Sequence, residues 1–202
     1  MRFSPLGREF FERDALRLAR DLIGAYVVVR RRRIVRAVRI VETEAYRGPA
    51  DAACHARTGP TRRNRSLFGR PGHAYVFLVY GMHRCFNVVC CGEGRGHAVL
   101  IRAGEPALGI VEGVRTDGPG RVARALGLTL KDDGLDLTGG AIFVSAREGT
   151  VRIGRGPRVG VAYAGKDAER PWRFFDSKSR HVSRPPLGAI GLGRARRPVL
   201  VR

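Results

Sequence analysis

The stretch "GHAYVFLVYGMHRCFNVVCCGEG" limits the fold more than any other part of the chain: two β-branched and aromatic runs flank a turn too short for anything but an antiparallel hairpin. It reads as a strand over 74–79, a tight turn at Tyr80-Gly81-Met82-His83 and a strand over 85–91. "AYVVVRRRRIVRAVRIVETEAY" repeats the arrangement around the arginine-rich turn Arg30 to Arg33, and "AVLIRA" at 98–103 adds a strand. Residues 9–23 place Phe11, Ala15, Leu18, Ala19 and Leu22 at spacings of three and four, with Gly24 where a helix stops, and so predict an amphipathic helix. Weaker signals predict a short helix at "GRVARALGL" and strands at "AIFVS" and "VGVAYAG". Strands bunched together with helices at the flanks imply an α+β fold, a single domain over 1–202 with a mostly antiparallel sheet. The segment 185–202, rich in Pro, Gly and Arg, reads as a loosely held basic tail.

Charge narrows the partner. Lys plus Arg number 38 against 18 Asp plus Glu, a formal charge of +20 carried almost wholly by arginine. Such an excess suits a polyanion, nucleic acid first, because neutralising phosphates releases counterions; arginine-rich codon usage is the bland alternative. No apolar run approaches the ~20 residues of a membrane helix, and the N-terminus lacks the apolar core of a signal peptide, so a cytoplasmic protein with no membrane partner is expected. The four cysteines, Cys54, Cys85, Cys90 and Cys91, form no paired CxxC sites and are expected to be thiols.

Against this cationic background, "RIVETEAYRGPADAACH" sets acids beside a tyrosine and a histidine. In a strand, Glu42, Glu44 and Tyr46 share one face and Val41, Thr43 and Ala45 the other. One reading pairs both acids with neighbouring arginines. The other has the Gly-Pro turn fold His55 back over the strand end to make a pocket. Tyr80 is equally open: its ring either folds onto the sheet or projects as a wedge between base pairs. A wedge together with an acidic pocket fits an enzyme that extrudes a base and acts on it. Two rivals remain, a non-catalytic nucleic-acid binder and a metal-dependent nuclease using Glu42, Glu44, Asp51 and His55.

The chain resembles the 3-methyladenine DNA glycosylases of the alkyladenine (methylpurine) type. The resemblance rests on "REFFERDALRLARDLIG", "RIVETEAYRGPADAACHA", "TRRNRSLFGRPGHAYVFLVYGMHRCFNVVC", "AVLIRAGEP" and "GPGRVARALGL", with weaker likeness at "RVGVAYAG" and "PWRFF". It implies a curved sheet with a protruding hairpin that inserts into DNA. By the same resemblance Glu44 is the general base that activates water, and Arg102 helps hold that water. Tyr46 stacks on the flipped base, His55 contacts the extruded nucleotide, and Asn87 crowds the exocyclic amino group of guanine. Tyr80 fills the gap in the duplex, and Met82, Arg63 and Arg121 are expected DNA contacts. Phe77 stands where a second stacking tyrosine is common, His83 and Arg84 follow Met82 where members vary, and Arg62 replaces a proline.

The implied activity is base excision repair: alkylated or deaminated purines are flipped from duplex DNA and cut from the sugar, leaving an abasic site. Its oxocarbenium-like transition state needs negative charge near C1′ and a water opposite the leaving base, both of which Glu44 supplies. Tyr46 and Phe77 would clamp a cationic purine at about 0.5 to 2 kcal/mol per contact. No lysine stands near these motifs, so a monofunctional enzyme without lyase activity, metal or organic cofactor is expected, working as a nucleoid-associated monomer. The reading requires Glu44 to face the nucleotide, close to Tyr46 and His55; a carboxylate sealed in the interior is incompatible with it.

Overall fold

The computed structural model describes residues 2–183 and the backbone of Val199–Leu200, so most of the 185–202 tail lies outside the described residues. Helix α1 (Ala15–Asp21) leads into the hairpin of β1 (Tyr26–Arg31) and β2 (Ile34–Arg47). A second hairpin, β3 (Ala74–Val79) and β4 (His83–Cys90), is followed by β5 (His97–Leu108) and α2 (Pro119–Leu126). The short strands β6 (Thr138–Gly139), β7 (Ile142–Ser145), β8 (Ile153–Gly156), β9 (Arg173–Asp176) and β10 (Val199–Leu200) complete the sheet.

Among the described residues every strand pairing is antiparallel, in the order β10-β8-β9-β2-β1-β7-β6, with β5, β4 and β3 branching from the other edge of β2. At 14 residues β2 is the spine, pairing with β1 and then β9 along one edge and with β5 along the other. Its register with β5 shifts on both sides of Glu42, leaving Val41 and Arg102 out of step. Such irregularities bend and twist a sheet, and here they fall where Arg102 faces the acids. The result is a curled, mostly antiparallel α+β sheet, as the sequence predicts.

The faces of β2 separate two environments. Val38, Ile40 and Ala45 join α1, α2 and the other strands in the main apolar core, and the Thr43 hydroxyl donates to the Ala19 carbonyl of α1 (2.8 Å). On the other face Tyr46 packs with Phe77 around a smaller cluster of Cys54, Ala56, Leu67, Tyr75, Val89 and Ala98.

Two sequence expectations change, and one strand was not foreseen. The helix over 9–23 is only α1, preceded by a 3-10 turn at Arg8–Phe10, because Asp14 takes an extended backbone and caps the helix by accepting from the Leu16 N–H (2.9 Å). Phe11 is fully buried from ahead of the helix. The segment 159–165 is not a strand: Gly160 (φ 76) and Gly165 (φ 58) turn the chain, and a 3-10 segment runs over Ala162–Glu169. β8 was silent because "IGRG" carries two glycines; at Gly154 a Cβ would meet the Phe175 ring at 2.6 Å, so a side chain there would have to displace that ring.

Candidate active site

The alternation along β2 delivers Glu42, Glu44 and Tyr46 to one face, and the two acids then part company. Glu42 is sealed in an arginine cage. Its Oε1 accepts from Arg173 Nη1 (2.9 Å) and lies 3.1 Å from Arg102 Nε, while its Oε2 accepts from the Ser183 N–H (2.7 Å). Arg102 Nε also donates to Ser183 Oγ (3.0 Å). Pairing with arginine, one of the two readings left open by the sequence, is therefore the state of Glu42.

Glu44 is different. Its Oε2 accepts from the Tyr46 hydroxyl (2.9 Å) and its Oε1 from the Val159 N–H (2.8 Å), with Arg102 Nη1 3.5 Å away. The residue is 0% exposed, which corrects the expectation of an open carboxylate. It is nevertheless part of the wall of a cavity of about 720 Å³ shared with Tyr46, His55, Phe77, Asn87 and Arg102. That volume lies within the usual range for ligand pockets, roughly 300 to 1,000 Å³. A carboxylate has about four acceptor positions; with two of them taken by Tyr46 and Val159 and Arg102 nearby, acceptor capacity remains for a proton from the cavity side.

Tyr46 links the acid to the cavity. Burial first, and then the Glu44 charge, push its hydroxyl well above the ordinary tyrosine value, so it stays protonated and donates to Glu44. Behind the ring sits a buried ion pair that the sequence reading missed. Arg158 Nη1 and Nη2 donate to Asp51 Oδ2 (2.6 Å) and Oδ1 (2.8 Å), and the guanidinium carbon lies 4.8 Å from the Tyr46 ring centroid and 4.9 Å from that of Trp172. Arg158 Nη1 also donates to the Ala45 carbonyl (3.0 Å), and the next residue supplies the N–H that holds Glu44. Asp51 is thus occupied on both oxygens, not turned toward Glu42 and His55 as a nuclease site requires. Among the described residues no group of three His, Cys, Asp or Glu is placed to hold a metal ion.

His55 comes from the 3-10 turn after the Gly-Pro segment and reaches the cavity as expected. Its Nδ1 shares a hydrogen bond with the Tyr75 hydroxyl (2.9 Å), and its ring meets Phe77 edge-on at 4.5 Å. Burial, aided by the charge of Arg63, lowers its pKa below 6.5, so the ring is neutral at pH 7. Tyr75, also missed, stacks on Phe77 at 5.2 Å; its signal was the period-two spacing of 75 and 77 on β3. Asn87, across from Tyr75 in the β3–β4 ladder, donates Nδ2 to the Tyr75 carbonyl (3.0 Å) and borders the cavity.

The turn of the β3–β4 hairpin borders the cavity through Val79, Tyr80 and His83. Tyr80 is 89% exposed, so it does not fold onto the sheet, and Met82 beside it is also exposed. Arg63 donates to the Leu78 carbonyl (3.3 Å) near this tip, and Arg121, from α2, pairs with Asp117 (3.0 Å) where both border the cavity. Glu44, Tyr46, His55, Phe77, Tyr80, Asn87, Arg102 and Arg121 thus border one cavity, with Met82 on the same hairpin turn and Arg63 bonded to that hairpin.

The methylpurine-DNA glycosylase (MPG) family model matches residues 9–180. A protein of Myxococcus xanthus provisionally named 3-methyladenine DNA glycosylase is 49% identical over 188 residues, covering 91% of this chain and 96% of its own. Proteins with the same provisional name from an Anaeromyxobacter species (51% identity; 90% and 93% covered) and the archaeon Methanocella arvoryzae (45%; 92% and 98%) are similarly close. With the match spanning the strands, turns and hairpin that enclose the cavity, the chain belongs to the methylpurine-DNA glycosylase family.

Proposed function

We propose that the cavity receives a purine turned out of duplex DNA and that Glu44 drives hydrolysis of its bond to deoxyribose. The chain is a DNA glycosylase of base excision repair that acts on alkylated purines, as its family and relatives are. The observation that carries the role of Glu44 is its placement in the wall of the aromatic cavity, held by Tyr46 and Val159 with Arg102 close by.

The leaving purine draws electrons from C1′ and leaves the sugar oxocarbenium-like, so a fixed negative charge stabilises the transition state more than the ground state. Glu44 provides that charge and accepts a proton from the attacking water; Arg102 helps orient the water. Tyr46 keeps one carboxylate oxygen in place through its hydroxyl and offers its ring to the base. Phe77, backed by Tyr75, is the second aromatic wall, suited to a purine carrying alkyl-derived positive charge. Neutral His55 adds no repulsion to that cation. Asn87 disfavours normal guanine by crowding its amino group, and Tyr80 occupies the space the base vacates. Met82, Arg63 and Arg121 contact the flanking DNA, and deaminated purines are accepted where they are extruded easily. The enzyme works as a monomer.

The reaction stops at the abasic site. A lyase step needs an amine nucleophile, and none of the three lysines, Lys131, Lys166 and Lys178, borders the cavity.

The test is single-turnover release of free base from methylated duplex DNA by the parent protein and by Glu44→Gln. We expect the variant to lose release by at least about 100-fold, the scale of general base catalysis, while binding lesion DNA as tightly as the parent. Release at an undiminished rate removes Glu44 from the chemistry. Borohydride in the same reaction should trap no covalent adduct; a trapped adduct overturns the monofunctional assignment.

A further inference from the structure

The reverse face of the molecule carries a second cationic feature. A groove of about 890 Å³ runs between α1, the 147–151 loop and strands β8 and β9, and Arg13, Arg17, Arg20, Arg147 and Arg155 border it with a single acid, Asp21. Asp21 is already engaged by Arg13 and lies 3.9 Å from Arg17. Among the described residues Arg20, Arg147 and Arg155 have no acidic partner within salt-bridge distance, and all three are exposed.

The groove and the cavity face opposite ways. Phe174, in the groove wall, sits across from Thr43 on β2, and the Thr43 hydroxyl bonds the α1 backbone. Glu44, the next residue, turns to the cavity face. A duplex seated on the Tyr80 hairpin cannot also follow α1 on the far side of the sheet without sharp bending. The reverse arginines are therefore not explained by the DNA being repaired.

We propose that this groove binds the phosphate backbone of a second DNA duplex, allowing one chain to bridge two segments and pass between them without complete release. The inference rests on the glycosylase reading for the identity of the first duplex; the chemistry of the groove itself is phosphate recognition by unpaired guanidinium groups. Duplex DNA is favoured over a small anion because the three unpaired arginines spread over a helix (Arg20), a loop (Arg147) and a strand (Arg155), the footprint of an extended polyanion.

The experiment measures dissociation of the full chain from a labelled undamaged duplex as unlabelled duplex is raised at fixed low salt. The parent should leave faster as competitor rises, the mark of direct transfer. The triple variant Arg20→Gln, Arg147→Gln, Arg155→Gln should leave at a competitor-independent rate. Its single-turnover base release from a short lesion duplex should be unchanged, which separates failure of the groove from failure of the active site. A parent rate independent of competitor, a variant that behaves like the parent, or acceleration by RNA hairpins exceeding that by duplex DNA each overturn the proposal. If the triple variant fails to fold, Arg155→Gln alone decides the matter, with a weakened competitor dependence expected and an unchanged one refuting it.

Discussion

Glu42 and Glu44 sit two residues apart on one face of β2, yet their partners give them opposite sensitivities. Glu42, fully buried, balances the nearly buried Arg102 and the half-buried Arg173, so Glu42→Ala strands cations with little access to water and should cost about 3 kcal/mol in denaturant unfolding. Removing Asp51 from beneath Arg158, both fully buried, should cost a similar ~3 to 5 kcal/mol. Glu44→Gln keeps one acceptor, for the Val159 N–H, and its amide can donate to the Tyr46 hydroxyl in place of accepting from it, so its loss should fall well below either. The alternation of "VETEAY" made Glu44 and Tyr46 legible from sequence, and the Gly-Pro turn did the same for His55. The caging of Glu42 was not, since Arg173 lies 131 residues on and only the β2–β9 pairing brings it near. Arg158 was one arginine among many, just ahead of the 159–165 segment misread as a strand.

The histidines set a pH window at the same scale. Burial leads the lowering of both His55 and His97 below 6.5, with Arg63 adding to it at His55. Between the unfolded and the lower folded values the unfolded chain binds more protons, so stability rises with pH there. These groups therefore contribute stability above pH 6.5 that is lost as pH falls through their folded values. Thermal unfolding should show a midpoint that declines from pH 7 toward pH 5, less steeply in His97→Asn. Base release from cationic lesions should decline over the same range, as protonated His55 sets a like charge beside the purine.

Among the elements, the β3–β4 hairpin is where a local rule is broken. Its three-residue turn puts Tyr80 at φ 50 and Gly81 at φ 70, and a non-glycine residue in the left-handed region is disfavoured by roughly 1 to 2 kcal/mol. Alanine suffers the same backbone penalty, and Tyr80 has almost no packing to lose. Tyr80→Ala should thus shift stability by no more than about 0.5 kcal/mol. Base release should nevertheless slow, more for a well-paired lesion than for a mispaired one that extrudes easily; equal slowing on both indicates a role other than filling the gap. The hairpin was visible in sequence because strong strand formers flank a glycine turn. The 159–165 segment misled because "VGVAYA" has strand composition while its backbone N–H at Val159 serves Glu44 instead of a neighbouring strand.

For the whole molecule, composition revealed the sign of the partner but not where the charge lies. Arg39, Arg102, Arg158 and Arg173 are tied to buried or half-buried acids, whereas Arg20, Arg147 and Arg155 stand free on the reverse face among the described residues; only the fold sorts one group from the other. The division has a measurable consequence. Binding through exposed arginines releases counterions, so log affinity for undamaged duplex should fall linearly with log salt, by about 0.9 per phosphate neutralised. On the proposed mechanism the chemistry falls to Glu44, a carboxylate with no surface exposure in the wall of the cavity, where added ions screen little. At saturating enzyme the single-turnover rate of base release should therefore hold steady between low and moderate salt while affinity drops by orders of magnitude. Glu44→Gln should keep the parent's salt slope, and the triple reverse-face variant should have a shallower slope for the second duplex alone. A release rate that falls in step with affinity, measured with every substrate molecule bound, places the controlling charges on the exposed surface and not around Glu44.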